Sequence, residues 1–101
     1  MEKLDVIVNR IVNVASPDKI ILFGSHAYGT PNEGSDIDLL IIKDTDLPFN
    51  KRASEIRRSL RGIGVPLYLV VYTPSEVEKY KNNKFSFLGK IDQQGKVLYG
   101  Q

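Results

Sequence analysis

The chain has 101 residues, of which 42% are hydrophobic and 26% charged, and these values predict one soluble globular domain over residues 1–101. It contains no cysteine, which excludes disulfide bonds and thiolate metal sites and is compatible with the reducing cytoplasm, where we expect the protein to reside. The formal net charge of +2 is too small to indicate nucleic-acid binding, and no apolar run approaches the roughly 18 to 20 residues that span a bilayer.

The first half of the chain alternates between helical and extended patterns. It predicts a helix, a strand, a short helix, a turn-rich loop and a second strand over residues 3–15, 19–23, 25–28, 30–34 and 36–43. The first helix is amphipathic, and its charged residues distinguish it from a secretory signal. The first strand is a short apolar run typical of a buried strand, and it ends where Gly24 and Ser25 follow.

The second half continues the alternation and adds two more strands. It predicts helices over 51–61, 73–81 and 85–94, and strands over 65–72 and 96–99. The order of elements indicates an α/β domain in which helices cover a sheet. We interpret the basic residues of the helix over 51–61 as its solvated face, because no aromatic residues are interleaved for base stacking, and a nucleic-acid-binding protein is therefore the weakest functional hypothesis.

Two aspartates stand at the start of the second predicted strand. Strand alternation places Asp36 and Asp38 on one face, roughly 6 to 7 Å apart along the chain. Neighbouring carboxylates repel each other and are costly to desolvate, and a hard divalent cation such as Mg²⁺ removes this difficulty. An Asp-x-Asp pair on its own is common on protein surfaces. Without further evidence, it is better interpreted as a strand or turn cap, Asp36, and an edge charge, Asp38, than as a metal site.

The glycine-containing segment before the aspartates favours the metal site over the surface interpretation. The first strand runs directly into Gly24 and Ser25, where glycine permits close backbone approach and the serine hydroxyl is able to donate to a phosphate oxygen. A helix that begins there directs free N–H groups toward an anion. Ser25 is equally consistent with an ordinary helix N-cap, and the two interpretations are compatible.

The spacing of Gly24 and Gly29 also matches the first part of a P-loop. Thr30 and Pro31 follow in place of Lys-Ser/Thr, so the lysine that a P-loop places at the β- and γ-phosphates is missing and we reject that motif. A phosphate-binding turn and a pair of carboxylates at the ends of neighbouring strands remain. This arrangement predicts Mg²⁺–nucleotide binding and phosphoryl or nucleotidyl transfer.

The same residues resemble a known signature. Gly24-Ser25, Gly29 and the run Ser35-Asp36-Ile37-Asp38-Leu39 match the G-S-x-x-x-G…S-D-x-D-L pattern of the DNA polymerase β-like nucleotidyltransferase superfamily. The short length resembles the minimal nucleotidyltransferase branch of that superfamily. The resemblance implies a polymerase β palm-like fold, which is a small mixed β-sheet flanked by helices.

The resemblance also implies roles for individual residues. It assigns nucleotide binding to Gly24, Ser25, Gly29 and Ser35. It assigns Mg²⁺ binding and catalysis to Asp36 and Asp38. Minimal members are often partners of HEPN-domain proteins in two-gene toxin–antitoxin systems, and some transfer AMP from ATP to a tyrosine of that partner. We therefore expect ATP or another NTP as substrate, Mg²⁺ as cofactor and a HEPN-type toxin as partner.

The chain departs from the family pattern in two places. The family's third carboxylate lies on the third strand, where this chain has Tyr68, and no acidic residue lies between Gly62 and Ser75 to replace it. General-base assistance of that kind is worth about 10² to 10⁴ in rate. Two hypotheses therefore stay open: an active nucleotidyltransferase, and a catalytically degenerate nucleotide-binding module that neutralises a partner. The second departure lies in the glycine loop, where many relatives carry arginines and this chain has His26 and Tyr28. A phosphate contact by His26 stays open, but we interpret it as a solvated side chain.

Overall fold

Helices and strands alternate along most of the chain. The structure, a computed structural model, describes residues 2–29, 36–83 and 85–100, so the loop predicted over 30–34 lies outside the described residues. The strands are β1 (Lys19–Phe23), β2 (Ile37–Ile42), β3 (Leu67–Tyr72) and β4 (Lys96–Gly100). The helices are α1 (Glu2–Ala15), α2 (Ser25–Tyr28), α3 (Ser54–Ser59), α4 (Pro74–Tyr80) and α5 (Phe87–Gln94), and a 3-10 turn covers Phe49–Lys51.

The strands of the described chain form one mixed sheet in the order β3-β2-β1-β4. Strand β1 pairs antiparallel with both β2 and β4, whereas β2 and β3 run parallel and are connected through α3. In this register Asp38 of β2 lies opposite Phe23 of β1 and opposite Tyr68 of β3. A small mixed sheet flanked by helices confirms the predicted α/β fold.

One face of the sheet packs against α1 and α3. Strand alternation turns every second side chain to this face, and Ile7 and Ile11 lie about one helical turn apart on α1. The buried cluster on this face consists of Ile7, Ile11, Ala15, Ile20, Leu22, Ala27, Ile37, Leu39, Ile41, Ile56, Leu60, Leu69 and Val71. Burial of each larger side chain stabilises the fold by about 1.5 to 3 kcal/mol, so this face holds the main core.

The opposite face packs against α4 and α5 and has a smaller core. Its buried residues are Ile21, Phe23, Leu40, Ile42, Val70, Leu88 and Ile91. Helix α4 begins with a capping box, in which the Thr73 hydroxyl accepts the Glu76 N–H at 3.2 Å and the Glu76 carboxylate accepts the Thr73 N–H at 2.8 Å. Arg52 donates to both carboxylate oxygens of Glu76, at 2.7 and 3.3 Å, and ties α4 to the segment before α3.

The predicted elements differ from the structure mainly at their ends. The helix predicted over 51–61 is replaced by the 3-10 turn and the shorter α3, and Gly62 follows in the left-handed region at φ 80. The helix predicted over 85–94 starts at Phe87, because the Ser86 hydroxyl caps it by accepting a backbone N–H of its first turn. Within the ranges that the structure describes, no helix is long and apolar enough to cross a membrane.

Candidate functional site

The turn between β1 and α2 depends on glycine. Gly24 follows β1 with φ 75 and ψ −160, a conformation that residues with a side chain rarely adopt. It is the N-cap of α2, and its carbonyl accepts the backbone N–H groups of Ala27 and Tyr28 at 3.0 and 3.1 Å. Ser25 is therefore the first helical residue, and its interpretation as the N-cap is wrong. The helix ends at Gly29, which is left-handed at φ 79.

Gly24 also lies directly beside the carboxylate of Asp38. A Cβ atom added to Gly24 would stand 2.0 Å from Oδ2 of Asp38, which is closer than real Cβ atoms approach other atoms, and 3.0 Å from its Cγ. Any larger residue would therefore displace either the carboxylate or the turn. The structure thus brings together two residues that the sequence pattern singles out, one from the turn and one from β2.

Asp36 and Asp38 lie around the start of β2. Asp36 precedes the strand and is exposed, whereas Asp38 is its second residue and is partly buried. Burial raises the pKa of Asp38, the negative charge of Asp36 raises it further, and His26 acts in the opposite direction. The two carboxylates are therefore electrostatic neighbours. His26, which the sequence suggests is solvated, is partly buried and close enough to lower the pKa of Asp38.

Asp38 has an aromatic neighbour on each side in the sheet. Phe23 lies opposite it on β1, and Tyr68 lies opposite it on β3. Two strands that flank a third are about 9.5 Å apart, since neighbouring strands are spaced by half of that distance. The ring centroids of Phe23 and Tyr68 are nevertheless only 6.3 Å apart, with an interplanar angle of 76°. The two rings therefore lean toward each other across β2, on the face that carries Asp38.

The oxygen atoms of this site suit a hard cation. Among the described residues, no group of three or more His, Cys, Asp or Glu side chains is arranged to hold a metal ion, and Asp36 and Asp38 are the carboxylates that this part of the chain offers here. In the same part of the chain, no lysine or arginine forms an ion pair with either aspartate. Such a pair fits Mg²⁺, which proteins usually hold through one or two carboxylates together with substrate phosphates and water.

Other predicted contacts of the site are not tested by the described geometry. Ser35 lies outside the described residues, so its contact with a nucleotide stays a prediction. Gly29 closes α2 with nothing within 4 Å of the position that a Cβ would take, so its positive φ and not a close approach favours glycine there. The phosphate contacts of Ser25 and Gly29 likewise stay predictions.

A row of aromatic rings beside the aspartates was missed at the sequence level. Ring contacts connect Phe49 to Tyr72, Tyr72 to Phe87 and Phe87 to Phe23, with centroid distances of 5.2, 6.4 and 5.4 Å. The contact between Phe23 and Tyr68 ends the row. Strand alternation on β3, which places Tyr68 and Tyr72 on one face, is the one signal of this row in the sequence. Phe49 and Phe87 join it through tertiary contacts that no local pattern indicates.

The sequence is similar to one family of proteins over most of its length. The family model for the nucleotidyltransferase domain matches residues 2–97. A candidate protein adenylyltransferase of Methanocaldococcus jannaschii is 40% identical over 83 residues, which cover 80% of this chain and 77% of that protein. Both matches extend well beyond the turn at Gly24 and the aspartates. They therefore show the family of the chain and do not assign a role to any single residue.

Solved structures share the fold. A candidate nucleotidyltransferase from Sulfolobus solfataricus matches with a TM-score of 0.69 at 18% identity, over 99% of this chain and 79% of that one. A toxin–antitoxin structure with AMP-PNP matches with a TM-score of 0.64 at 22% identity, over 99% and 73% of the two chains. These identities show the fold alone. Together with the family model and the 40% identical relative, they lead to one conclusion: the chain belongs to the nucleotidyltransferase domain family and is a nucleotidyltransferase.

Proposed function

We propose that the protein binds Mg²⁺–ATP and transfers AMP to a hydroxyl group of a HEPN-type toxin, with which it forms a cytoplasmic toxin–antitoxin pair. The observation that carries this proposal is the close approach of Gly24 to Asp38, which seats a carboxylate against a turn that only glycine permits. Phosphates that lie along the turn would meet the carboxylates of Asp36 and Asp38 at the same point.

The positions of the described residues support their roles in this reaction, and the role of Ser35 rests on the resemblance. Asp36 and Asp38 would hold Mg²⁺, which supplies neutralisation of the phosphate charge when it is bound. Ser25, Gly29 and Ser35 would bind the phosphates through hydroxyl and backbone groups. The aspartates would thereby fix the α-phosphorus at one end of β2, where an acceptor hydroxyl is able to approach from solvent. Positioning and electrostatic stabilisation of this kind supply most of the catalysis of phosphoryl transfer.

The similar proteins support the choice of nucleotide and acceptor. The M. jannaschii relative is by name a protein adenylyltransferase, and one structural neighbour is a toxin–antitoxin with AMP-PNP. Another, the toxin–antitoxin MntA-HpeT, matches with a TM-score of 0.64 at 18% identity over 96% of this chain and 72% of that one. That structure is a mutant in which two aspartates, two positions apart, are replaced by glutamate. Asp36 and Asp38 have the same spacing.

A second candidate function is a nucleotide-binding module that neutralises its partner without turnover. The observation that favours it is Tyr68, which lies opposite Asp38 on β3, where the resemblance implies a third carboxylate. A phenol is neutral at physiological pH and is a poor metal ligand and a poor general base in that form. Nucleotide binding by the two aspartates would survive this replacement, while the rate of transfer would fall.

One experiment separates the two functions. The protein is incubated with Mg²⁺, labelled ATP and the product of its neighbouring gene, and each protein is then examined for label. Transfer of label to the partner, lost in both Asp36→Ala and Asp38→Ala, is the result that we expect. Tight partner binding without label would favour the binding module, and failure to bind Mg²⁺–ATP would contradict both functions.

A further inference from the structure

Tyr68 lies beside Asp38, one of the two carboxylates that we propose as the metal site. It shares the face of the sheet with Asp38 and lies opposite it in the parallel β2–β3 register. Its ring leans across β2 toward Phe23, with the centroids 6.3 Å apart, so it does not turn away from the aspartate. A tyrosine side chain is longer than an aspartate side chain, so it is long enough for the Tyr68 hydroxyl to meet a phosphate bound at that carboxylate.

The Tyr68 side chain is also accessible and uncommitted to the fold. It keeps 47% of its surface exposed, although it lies on a strand of the sheet. Among the residues that the structure describes, none forms a hydrogen bond with its hydroxyl, and its ring contact is the one with Phe23. A reaction at this oxygen would therefore break no hydrogen bond that the described fold uses, and solvent is able to take up the phenolic proton.

From this placement we propose that Tyr68 is itself an acceptor, so that the protein transfers a nucleoside monophosphate to its own Tyr68. The inference rests on the proposed function, because it needs a bound Mg²⁺–NTP at Asp36 and Asp38. The Tyr68 oxygen attacks the α-phosphorus, the bond between the α-phosphorus and the bridging oxygen breaks, and pyrophosphate leaves with that electron pair. The phenolic proton passes to solvent, and the product is a phosphodiester between Tyr68 and the nucleoside.

Two properties of this reaction follow from the geometry. Each chain has one tyrosine in register with Asp38, so the modification stops at one nucleoside monophosphate per chain. The product then occupies the space beside Asp38, and we expect the modified chain to bind a second Mg²⁺–ATP at least about tenfold more weakly than the unmodified chain. The reaction is also intramolecular, since the acceptor and the metal site lie on neighbouring strands of one sheet.

Other exposed tyrosines allow a matched control. Tyr99 is 39% exposed but pairs with Ile20, whose side chain belongs to the core beneath α1, so Tyr99 lies on the opposite face of the sheet. Tyr28, which is 44% exposed, ends α2 and is the competing acceptor nearest in sequence to the turn at Gly24. The variants Tyr99→Phe, Tyr28→Phe and Tyr68→Phe each remove one hydroxyl and keep the ring.

The test uses the full chain with Mg²⁺ and ATP alone, followed by intact mass and peptide mapping. The expected result is up to one AMP per chain, mapped to Tyr68, in the wild type, Tyr28→Phe and Tyr99→Phe, and a loss of at least about tenfold in Tyr68→Phe. Thermal unfolding of Tyr68→Phe checks that the variant is folded. Undiminished label in folded Tyr68→Phe, or label mapped to another residue, would overturn the inference.

Two further arms separate this inference from the proposed function. If the wild type labels its partner but never itself, self-modification is wrong while the proposed function stands. If the wild type does not bind Mg²⁺–ATP, the proposed function fails and self-modification fails with it. A tagged Asp38→Asn chain mixed with the wild type is expected to stay unlabelled, and label on its Tyr68 would show transfer between copies and contradict the geometry argued above.

Discussion

Two carboxylates on the same side of the sheet have opposite surroundings. Glu76, at the start of α4, accepts hydrogen bonds from Arg52 and from its own helix cap, and these hold the pKa of Glu76 below its ordinary range. Asp38, at the start of β2, is partly desolvated beside Asp36, and its pKa is raised. The fold supplies a cation to the first carboxylate, whereas the second remains a costly charge that an external cation would relieve. We expect this difference to distinguish a structural carboxylate, Glu76, from one that binds a ligand, Asp38.

The largest expected effect is on transfer in Asp38→Asn. The substitution keeps the shape of the side chain but removes a charged oxygen ligand, and even outer partners of metal ligands change affinity or activity by about 10- to 100-fold. We expect partner labelling to fall by about 100-fold or more, measured with labelled ATP. Asp92→Asn, an exposed position on α5, is the matched control and is expected to keep full transfer. Full transfer by Asp38→Asn would contradict the view that Asp38, unlike Glu76, binds a ligand.

Gly24→Ala is the next largest effect, because it acts on both the backbone and the carboxylate. The new Cβ would overlap Oδ2 of Asp38 at a φ of 75, and strain of this kind costs about 1 to 3 kcal/mol. We expect lower stability in urea unfolding together with loss of Mg²⁺–ATP binding. Gly62→Ala is the control, since Gly62 has φ 80 but nothing within 4 Å of its Cβ position. It is expected to lose stability and keep nucleotide binding, and equal behaviour of the two variants would contradict the role of Gly24.

Arg52→Ala tests the structural carboxylate, Glu76. Arg52 is 10% exposed on its side chain, and its loss leaves Glu76 without its cation. Hydrogen bonds to charged groups contribute about 1.5 to 3 kcal/mol, so we expect the free energy of unfolding to fall by about 2 kcal/mol in urea titrations. Lys81→Ala breaks the more exposed Lys81–Glu78 pair, 3.2 Å long, and should change stability by less than about 1 kcal/mol. An equal loss of stability in both variants would show that burial of the Arg52–Glu76 pair does not increase its contribution to stability.

The same pair gives the fold a defined acid sensitivity. Because the folded-state pKa of Glu76 lies below its unfolded value, its contribution is fully present above the ordinary glutamate range and is lost as the pH falls through the folded pKa. Urea unfolding at a series of acidic pH values should therefore show a steeper loss of stability in the wild type than in Glu76→Gln. Parallel pH profiles would contradict this assignment.

The smallest expected effect is on the stability of Asp38→Asn without metal. A raised carboxylate pKa means that the charged form is disfavoured in the folded state, so removal of the charge should stabilise the metal-free protein. Solvent screens this partly exposed group, and we expect a gain of about 0.5 kcal/mol or less. Added Mg²⁺ and ATP should raise the melting temperature of the wild type and leave that of the variant unchanged. A variant less stable than the metal-free wild type would contradict the account of Asp38.

Local patterns in the sequence predicted the elements and the pair of aspartates. The period of Ile7 and Ile11 indicates α1, and strand alternation predicts that Asp36 and Asp38 share one face, although Asp36 precedes β2 in the structure. The approach of Gly24 to Asp38 was not predictable, because it depends on the register of β1 against β2. The bidentate contact of Arg52 with Glu76 joins residues 24 positions apart, and no local pattern signals it.

Residues near the C-terminus also have environments that local sequence patterns do not predict. Phe85, Phe87 and Leu88 allow two interpretations in the sequence, a cover for the sheet or a partner surface. In the structure Leu88 is buried under the sheet and Phe87 contacts Phe23, whereas Phe85 is 81% exposed. One apolar cluster therefore divides between core and surface, because the helix cap at Ser86 sets which side chains of α5 turn inward.

The central claim is that Asp36 and Asp38, seated against Gly24, bind a nucleotide through a divalent cation. The most direct measurement is calorimetric titration of ATP into the wild type and Asp38→Asn, each with Mg²⁺ and with a chelator. The account predicts binding in the wild type with Mg²⁺, and weakening by about 100-fold or more when either the metal or the Asp38 carboxylate is removed. Equal ATP affinity in the wild type with and without Mg²⁺, or in Asp38→Asn, would contradict it.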